Sequence, residues 1–231
     1  MTAVKLTPRL KLVASFVNEN SVFVDVGTDH AYLPIYLCEN KISRYGTASD
    51  INSGPLEIAE RNLGLAGLLD KVSLVLSDGL KNIDTDKLDT VIIAGMGGET
   101  IAGILADATL TQAHNIILQP MTQVPALREF LAKSGYEILE EALVEEGEKL
   151  YHVLQVKKIL ATIDLNDLEL YVGSKYKNKN DCTYRKFLEK ELSRLEKIEK
   201  GIESAKNADA RELEKVKREK AAFILAKEEI E

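Results

Sequence analysis

Apolar segments alternate with helical segments through the first two thirds of the chain, and this alternation constrains the fold more than any other feature. Parallel strands joined by crossover helices are the arrangement that such alternation produces. The chain is therefore predicted to be α/β, with a doubly wound sheet. Strands are predicted at 21–26, 45–49, 72–76, 88–94 and 114–118, and helices at about 7–18, 31–40, 54–66, 98–107 and 123–134.

The pattern changes after Gly135. Two apolar runs around Glu146 and Gly147 predict an antiparallel hairpin that closes one edge of the sheet. From about 161, leucines and isoleucines recur at a spacing of three and four, with a break at 207–210 where Asp209 is a candidate N-cap. The sequence thus predicts a globular domain at 1–160, then a segment 161–231 that holds an antiparallel coiled-coil hairpin at about 184–228, called the helical hairpin below.

Composition favours a cytoplasmic protein and argues against secreted, membrane and metal-dependent classes. Hydrophobic residues make up 45% of the 231 residues and charged residues 29%. The N-terminus lacks the layout of a signal peptide, and no run of eighteen apolar residues occurs. The two cysteines form no disulfide framework, and the three histidines have no metal-ligand spacing. We therefore expect no metal ion and no membrane partner.

Positive charge is concentrated near the C-terminus. The net charge is −7, but residues 171–220 hold 15 Lys/Arg and 10 Asp/Glu, whereas residues 1–160 hold 14 and 21. A basic stretch before the helical hairpin is a candidate site for nucleic-acid phosphates. A solubilising helix pair or a dimerisation arm are the alternatives. The basic approach segment consists of Lys175, Lys177, Lys179, Arg185 and Lys186.

Acidic residues and glycines follow four successive predicted strands. Carboxyl ends of parallel strands share one edge of a sheet, where open α/β proteins bind their ligands. An acid after the second strand can accept the hydroxyls of a ribose, and one after the third can accept from an adenine amino group. Each feature alone is more often a turn or a cap, but four in order predict a nucleoside site. The residues are Asp25, Gly27, Asp50, Asp78, Gly79, Gly95 and Met96.

The blocks DVGTDHAYLP, AGMGGETI and NIILQP, with LTPRLKLVASFV before them and the helical hairpin after them, resemble the bacterial tRNA adenine N1-methyltransferases that act on adenine-22 in the D arm. The resemblance implies a class I methyltransferase fold, whose last strand runs against the others, with S-adenosylmethionine as cofactor and tRNA as partner. The cofactor contacts that it implies are Arg9, Asp25, Gly27, His30, Asp50, Ile51, Asp78, Gly79, Gly95 and Met96.

The first turn departs from a dinucleotide fingerprint because it carries Asp29 and His30. A carboxylate there suits the ammonium or sulfonium of S-adenosylmethionine, or the charge that develops on a methylated adenine, so Asp29 is the candidate catalytic residue. Alternatively, Asp29 caps the helix that begins near Ala31, and His30 braces the loop. Tyr32 is a candidate stacking surface for an extruded base, with helix packing as the alternative.

Three other functions remain open on the residues alone. A methyltransferase for a small molecule or DNA is one, although the chain lacks the Asn/Asp-Pro-Pro-aromatic turn of the DNA amino-methyltransferases. A catalytically silent RNA-binding protein with a retained cofactor pocket is another. An NAD oxidoreductase is disfavoured because Asp29 and Ala31 occupy glycine positions of the fingerprint. The expected assembly is a monomer or a weak dimer.

Overall fold

A seven-stranded sheet forms the centre of the fold in a computed structural model that describes residues 4–176, 179, 181–205 and 209–230. Its strand order is β3-β2-β1-β4-β5-β7-β6. The first five strands are parallel, and β7 runs antiparallel to both β5 and β6. The strands are β1 (Ser21–Val26), β2 (Ser43–Asp50), β3 (Val72–Leu76), β4 (Thr90–Gly97), β5 (Asn115–Thr122), β6 (Tyr136–Glu146) and β7 (Lys149–Lys158).

Seven α-helices, counted over the described residues, cover the sheet and form the helical hairpin. None of them is long and apolar enough to cross a membrane. A 3₁₀ turn at Thr85–Lys87 and one turn of π-helix at Leu168–Val172 complete the elements. The helices are α1 (Pro8–Ser15), α2 (Tyr32–Glu39), α3 (Ser53–Ala66), α4 (Gly98–Ala106), α5 (Val124–Lys133), α6 (Cys182–Ser204) and α7 (Ala210–Glu228).

Short polar side chains set where several helices begin. The Thr7 side chain accepts from the Leu10 N–H, and Pro8 occupies the first turn of α1, where its missing donor costs nothing. The Asp209 side chain accepts from the Arg211 N–H and starts α7, as the sequence predicts. The predicted α/β class, the closing antiparallel strand and the C-terminal helix pair are all confirmed.

Three clusters of buried side chains hold these layers together. Two of them lie around the sheet and contain the apolar residues of its strands and of α1 to α5. The third unites α6, α7 and the π-helical turn with partly buried Leu143 of β6 and Leu150 of β7. The helical hairpin therefore shares its core with the edge of the sheet. The domain boundary at 160/161 stays a prediction.

A buried ion pair joins α5 to the edge strand β6. Arg128 and Glu141 are each 1% exposed, and Arg128 Nη2 lies 2.8 Å from Glu141 Oε1. Arg128 Nε also donates to Glu141 at 2.9 Å, and its Nη1 donates to the backbone oxygens of Leu170 and Tyr171. Gly173 has a φ of +97°, and a Cβ there would overlap both charged groups. A glycine is needed where the π-helical turn passes over this pair.

Tyr176 and His152 extend this pair towards the helical hairpin. Arg128 Nη2 donates to the Tyr176 hydroxyl at 3.1 Å, and that hydroxyl lies 2.7 Å from His152 Nδ1. Burial, together with the nearby Arg128 cation, lowers the pKa of His152 to about 3. A neutral His152 can therefore accept from Tyr176. The chain of polar contacts thus runs from α5 to β7 through the segment that precedes α6.

We expect Arg128→Met to lower the free energy of unfolding by about 3–5 kcal/mol, because it leaves the Glu141 carboxylate buried without its cation. Adding Glu141→Leu to that variant should recover part of this stability, since the uncompensated charge is then removed. Urea denaturation of both variants measures this.

Lys133→Met on the same helix is the matched control for that prediction. Lys133 pairs with Glu129 at 2.5 Å, but both side chains are exposed, so the cost should stay below about 1 kcal/mol. If the single Arg128 variant is no less stable than the double variant, the ion pair does not hold α5 to the sheet.

Candidate functional site

The predicted site residues lie side by side along the carboxyl edge of the sheet. The register pairs Val26 of β1 with Ser49 of β2 and with Ile93 of β4. The Ser77 N–H, just after β3, donates to the Asp50 carbonyl at 2.9 Å. The ends of β1, β2, β3 and β4 are thus adjacent, and the structure brings their acids and glycines to one edge as the sequence predicts.

The first turn is held in an uncommon backbone conformation. Gly27 has φ +73°, and the non-glycine residues Asp29 and Ala31 have φ +54° and +57°. Such conformations cost on the order of 1–3 kcal/mol each and persist only where the surroundings impose them. Here the N–H groups of Gly27 and Thr28 both donate to the Ser49 carbonyl, at 2.8 and 2.9 Å. The turn is thereby anchored to β2.

Asp29 does not cap α2, so the capping alternative is wrong. The N-cap position is Ala31, in the left-handed region and without a side-chain hydrogen bond. The Asp29 side chain is 69% exposed, and its Oδ2 lies 3.5 Å from His30 Nε2. The backbone thus presents this carboxylate to solvent beside an imidazole, with no structural task in the capping of the helix.

His30 is anchored through its backbone while part of its ring is unsatisfied. Its carbonyl accepts from Asn62 Nδ2 at 2.9 Å. Its Nδ1 is buried and has no hydrogen-bond partner among the described residues. Its ring centroid lies 5.4 Å from that of Tyr32, which is 46% exposed beside a cavity of about 290 Å³ between α2 and α3. The roles of His30 and Tyr32 stay predictions.

Asp25 is a buried carboxyl at the end of β1. The Thr28 hydroxyl donates to its Oδ2 at 2.7 Å. Burial raises the pKa of Asp25 to about 6, the Thr28 hydrogen bond opposes that shift, and nearby Asp50 adds to it. A carboxylate held so far from water is stabilised by any cation that binds next to it.

The acids after β2 and β3 have different surroundings. Asp50 is half-buried and accepts from the Asn52 N–H at 2.9 Å, and the following Ile51 is 60% exposed. Asp78 is exposed and pairs with Lys81 Nζ at 2.6 Å. Gly79, with φ +60°, is needed for the turn there, because a Cβ would press on Ile104.

The turn after β4 approaches the first turn closely. A Cβ at Gly27 would overlap the terminal methyl of Met96, so Met96 makes the close approach to the Gly27 backbone in this structure. Gly95 has φ +80°, and a Cβ there would lie 3.6 Å from Arg9 Nη1, an ordinary van der Waals distance. The positive φ angles at Gly27 and Gly95 therefore favour glycine at both positions, independently of any ligand.

Arg9 reaches this edge from α1, and Gln119 holds it. Arg9 Nη1 donates to Gln119 Oε1 at 2.5 Å, and the Arg9 N–H donates to Glu146 at 3.0 Å. The guanidinium carbon lies 5.6 Å from the ring centroid of Tyr151. Sequence reasoning missed Gln119, Glu146 and Tyr151 as partners of Arg9. Gln119 directly follows the predicted strand 114–118, so the rule applied to the acids could have identified it.

The basic approach segment is largely engaged in contacts within the protein. Lys186 pairs with Glu145 of β6, and Lys179 pairs with Glu229 at 3.1 Å. Arg185 donates to the Ile230 carbonyl. The backbone of Lys175 exchanges hydrogen bonds with Glu141. Lys177 lies outside the described residues.

Comparison with known proteins gives a consistent result. The family model described as tRNA (adenine(22)-N(1))-methyltransferase matches residues 23–222. The chain is 38% identical over 156 residues to the Bacillus subtilis protein named tRNA (adenine(22)-N(1))-methyltransferase, which covers 67% of this chain and 66% of that protein.

Solved structures agree over nearly the whole length. The B. subtilis m1A22 tRNA methyltransferase TrmK superposes with a TM-score of 0.86 at 29% identity, covering 97% of this chain and 99% of that one. M. capricolum TrmK, solved in complex with S-adenosyl-homocysteine, superposes with a TM-score of 0.83 at 31% identity, covering 98% and 99%. The likeness thus includes both the sheet and the helical hairpin.

The raised pKa of Asp25 predicts that Asp25→Asn stabilises the protein in the absence of ligand. A folded-state pKa of about 6 exceeds the ordinary value of 3.8, so the folded state binds the proton more tightly. The associated stability is present below about pH 4 and disappears as the pH rises through 6. At pH 7.5 the variant should gain on the order of 3 kcal/mol at most, measured by denaturation.

Asp164→Asn, at an exposed carboxylate, is the control and should leave the pH profile of stability unchanged. If the stability of Asp25→Asn still falls between pH 4 and 6 as it does in the wild type, a group other than Asp25 causes that fall.

Proposed function

The chain belongs to the tRNA (adenine(22)-N(1))-methyltransferase family, and we propose the roles that its residues take in that reaction. It is an S-adenosylmethionine-dependent enzyme that methylates N1 of adenine 22 in tRNA. The observation that carries the proposal is the distribution of charge at the carboxyl edge. Asp25 and Asp29 lie at the end of β1, and the Arg9 cation reaches the same edge from α1, which suits a ligand that carries both signs.

We assign the adenosine end of the cofactor to the ends of β2 and β3. The half-buried Asp50 has one oxygen engaged by Asn52 and can accept ribose hydroxyls with the other. Ile51 offers an exposed apolar surface for the adenine ring. Asp78 is the acceptor for the adenine amino group, and its Oδ2 also accepts from Lys81 Nζ at 2.6 Å.

We assign the amino-acid end to Asp25, Arg9 and the turn at Gly95. The carboxylate of the ligand suits the Arg9 guanidinium, and its cationic groups suit Asp25, whose burial raises the pKa. Met96 and Gly27, in contact with each other, form the wall between the two ends. His30 can offer its unsatisfied Nδ1 to a polar group of the ligand or of the base.

Bound S-adenosylmethionine supplies an electrophilic methyl group on a sulfonium. Adenine N1 has a lone pair and no proton, so the protein needs to align and desolvate the reactants rather than activate a nucleophile. The methylated base is a cation until N6 loses a proton. Asp29, exposed in the first turn beside His30, is the group we propose to stabilise that charge or accept that proton. This chemistry requires no Lewis acid, so we propose that the reaction needs no metal ion.

Tyr32 is the surface on which we propose that the target base stacks. N1 lies on the Watson–Crick edge, so a paired or tertiary-bonded adenine has to leave its position before it reacts. Tyr32 follows the first turn, is about half exposed and lies next to the His30 ring. An exposed aromatic face at this position can take a base without disturbing the core.

We propose that tRNA docks on the helical hairpin through the basic approach segment. The end of β6 links the two regions, because Glu146 accepts from the Arg9 backbone N–H while Glu145 pairs with Lys186. Exposed ion pairs contribute at most about 1 kcal/mol, so phosphates can replace these carboxylates as partners. A monomer or weak dimer acting in the cytoplasm fits this arrangement.

Asp29→Asn should lower turnover on the order of 100-fold, because it keeps the side-chain volume but removes the charge. The affinities for S-adenosylmethionine and tRNA should change much less, since the proposed contribution arises in the transition state. The assay uses labelled S-adenosylmethionine and unmodified tRNA, with nucleoside analysis for 1-methyladenosine.

Glu19→Gln, at an exposed carboxylate that precedes β1 at the opposite edge of the sheet, is the control and should turn over like the wild type. Wild-type turnover in Asp29→Asn would remove Asp29 from the chemistry. A wild-type product other than 1-methyladenosine would contradict the reaction itself.

Changing all five residues of the basic approach segment to Gln should weaken tRNA binding and leave S-adenosylmethionine affinity unchanged. The slope of log K against log salt should fall by about 0.7–0.9 for each phosphate that the variant no longer neutralises. Substitution is a better test than deletion, because removing the helical hairpin would uncover Leu143 and Leu150 of the sheet.

Arg218→Gln is the matched control, because Arg218 is an exposed, ion-paired arginine of the helical hairpin outside that segment. An unchanged salt slope in the five-residue variant would assign tRNA docking to another surface.

A further inference from the structure

Gln119 lies in the second half of β5, and both the oxygen and the nitrogen of its side-chain amide make hydrogen bonds. It is 0% exposed, and its Oε1 accepts from Arg9 Nη1 at 2.5 Å and from the Gly95 N–H at 3.1 Å. Its Nε2 donates to the Pro120 carbonyl at 2.9 Å. Because two donors meet the oxygen and an acceptor meets the nitrogen, only one orientation of the amide satisfies all three contacts.

The Gln119 side chain takes the place of a missing partner in the sheet. The register pairs Ala94 with Gln119 and Met96 with Pro120, so Gly95 is an extra residue in β4. Pro120 has no N–H to offer to the neighbouring strand, which is typical of a bulge. As the extra residue of the bulge, Gly95 has no residue opposite it in the register with β5, and its N–H donates to Gln119 Oε1 instead. The same atom that holds Arg9 thus completes the hydrogen bonding of the bulge.

We propose that Gln119 is a positioning residue for methyl transfer, which fixes the Arg9 guanidinium against the turn that ends β4. The inference rests on the proposed role of Arg9 at the carboxylate of the cofactor. Because one oxygen receives both donors, the guanidinium and the Gly95 backbone keep a constant separation. Glu146 at the Arg9 backbone and the Tyr151 ring near its guanidinium limit the remaining freedom of this side chain.

Glutamine meets these requirements better than its closest replacements. Glutamate would keep an acceptor for Arg9 and Gly95, but its second oxygen would face the Pro120 carbonyl without a proton between them. Methionine has a similar volume and offers no strong acceptor, so both donors would be left without a partner. A buried donor without an acceptor is costly, and Arg9 would turn towards water to regain one.

The test is a double-mutant cycle on S-adenosylmethionine affinity, measured by calorimetry with the full-length protein. Gln119→Met should weaken binding about 10- to 100-fold, as expected when a hydrogen bond to a charged group is removed. Arg9→Ala should weaken it by at least as much. In the Arg9→Ala background, Gln119→Met should weaken binding little further, because Gln119 acts through Arg9.

Gln155→Met provides the matched control. Gln155 lies in β7 of the same sheet and donates one side-chain hydrogen bond, to Asn115 Oδ1 at 2.7 Å. It is remote in the strand order from the first turn, so its replacement should affect stability and leave cofactor affinity unchanged. This separates a general effect of removing a glutamine from an effect transmitted by Arg9.

Reductions in affinity that multiply in the double variant would overturn the proposal, because Gln119 would then act independently of Arg9. Arg9→Ala with unchanged affinity would overturn both the proposed role of Arg9 and the positioning role. Weaker binding in Arg9→Ala but not in Gln119→Met would overturn the positioning role alone. If Gln119→Met fails to fold, Gln119→Glu takes its place in the cycle. Its smaller effect must again disappear in the Arg9→Ala background.

Discussion

The buried ion pair between Arg128 and Glu141 connects the two parts of this enzyme. A charge pair removed from water stabilises a structure only if its remaining donors and acceptors are satisfied, and here they are. Backbone carbonyls of the π-helical turn accept from Arg128, and the Lys175 N–H donates to Glu141. The π-helical turn and the backbone up to Tyr176 are therefore held in a fixed position over the edge of the sheet.

The first turn is held in a strained backbone conformation, and it follows β1, away from the edge strand β6 that carries part of this ion pair. Asp29 and Ala31 occupy the left-handed region, although neither is a glycine. The paired hydrogen bonds from Gly27 and Thr28 to Ser49 impose that geometry, and the Asp29 carboxylate is left free of any capping duty. Strain of this kind is typical of functional sites, where the backbone holds a side chain that the local sequence would not hold by itself.

The sequence predicts the elements well where local patterns decide them. Apolar runs locate β1 and β3 to the residue, and Thr7 and Asp209 cap the helices that they were expected to cap. β4 extends beyond the predicted 88–94 to Gly97, because its glycine-rich end still pairs with β5. The resemblance to a family identified the cofactor and the substrate, which residue patterns alone left open.

Contacts between distant residues were not predictable in this way. Arg128 and Glu141 resemble surface charges in the sequence, and the carbonyls that accept from Arg128 lie more than forty residues further along the chain. Gln119 and Met96 acquire their neighbours only when β4 and β5 are paired and α1 is in place. The partners of Lys179 and Lys186 likewise depend on how the helical hairpin meets β6. Such pairings are properties of the assembled tertiary structure.

The bridge between Glu141 and Tyr176 has a consequence for the synthesis of the chain. β6 is the last strand of the sheet, and the segment around Tyr176 runs parallel to it at that bridge. Until this segment leaves the ribosome, β6 offers unpaired backbone groups to any other nascent chain, and Leu143 lacks its cover from α6 and α7. Tyr176, α6 and α7 therefore cover this edge and Leu143. A chain whose translation stops before them exposes unpaired backbone groups and an apolar surface, both of which promote aggregation.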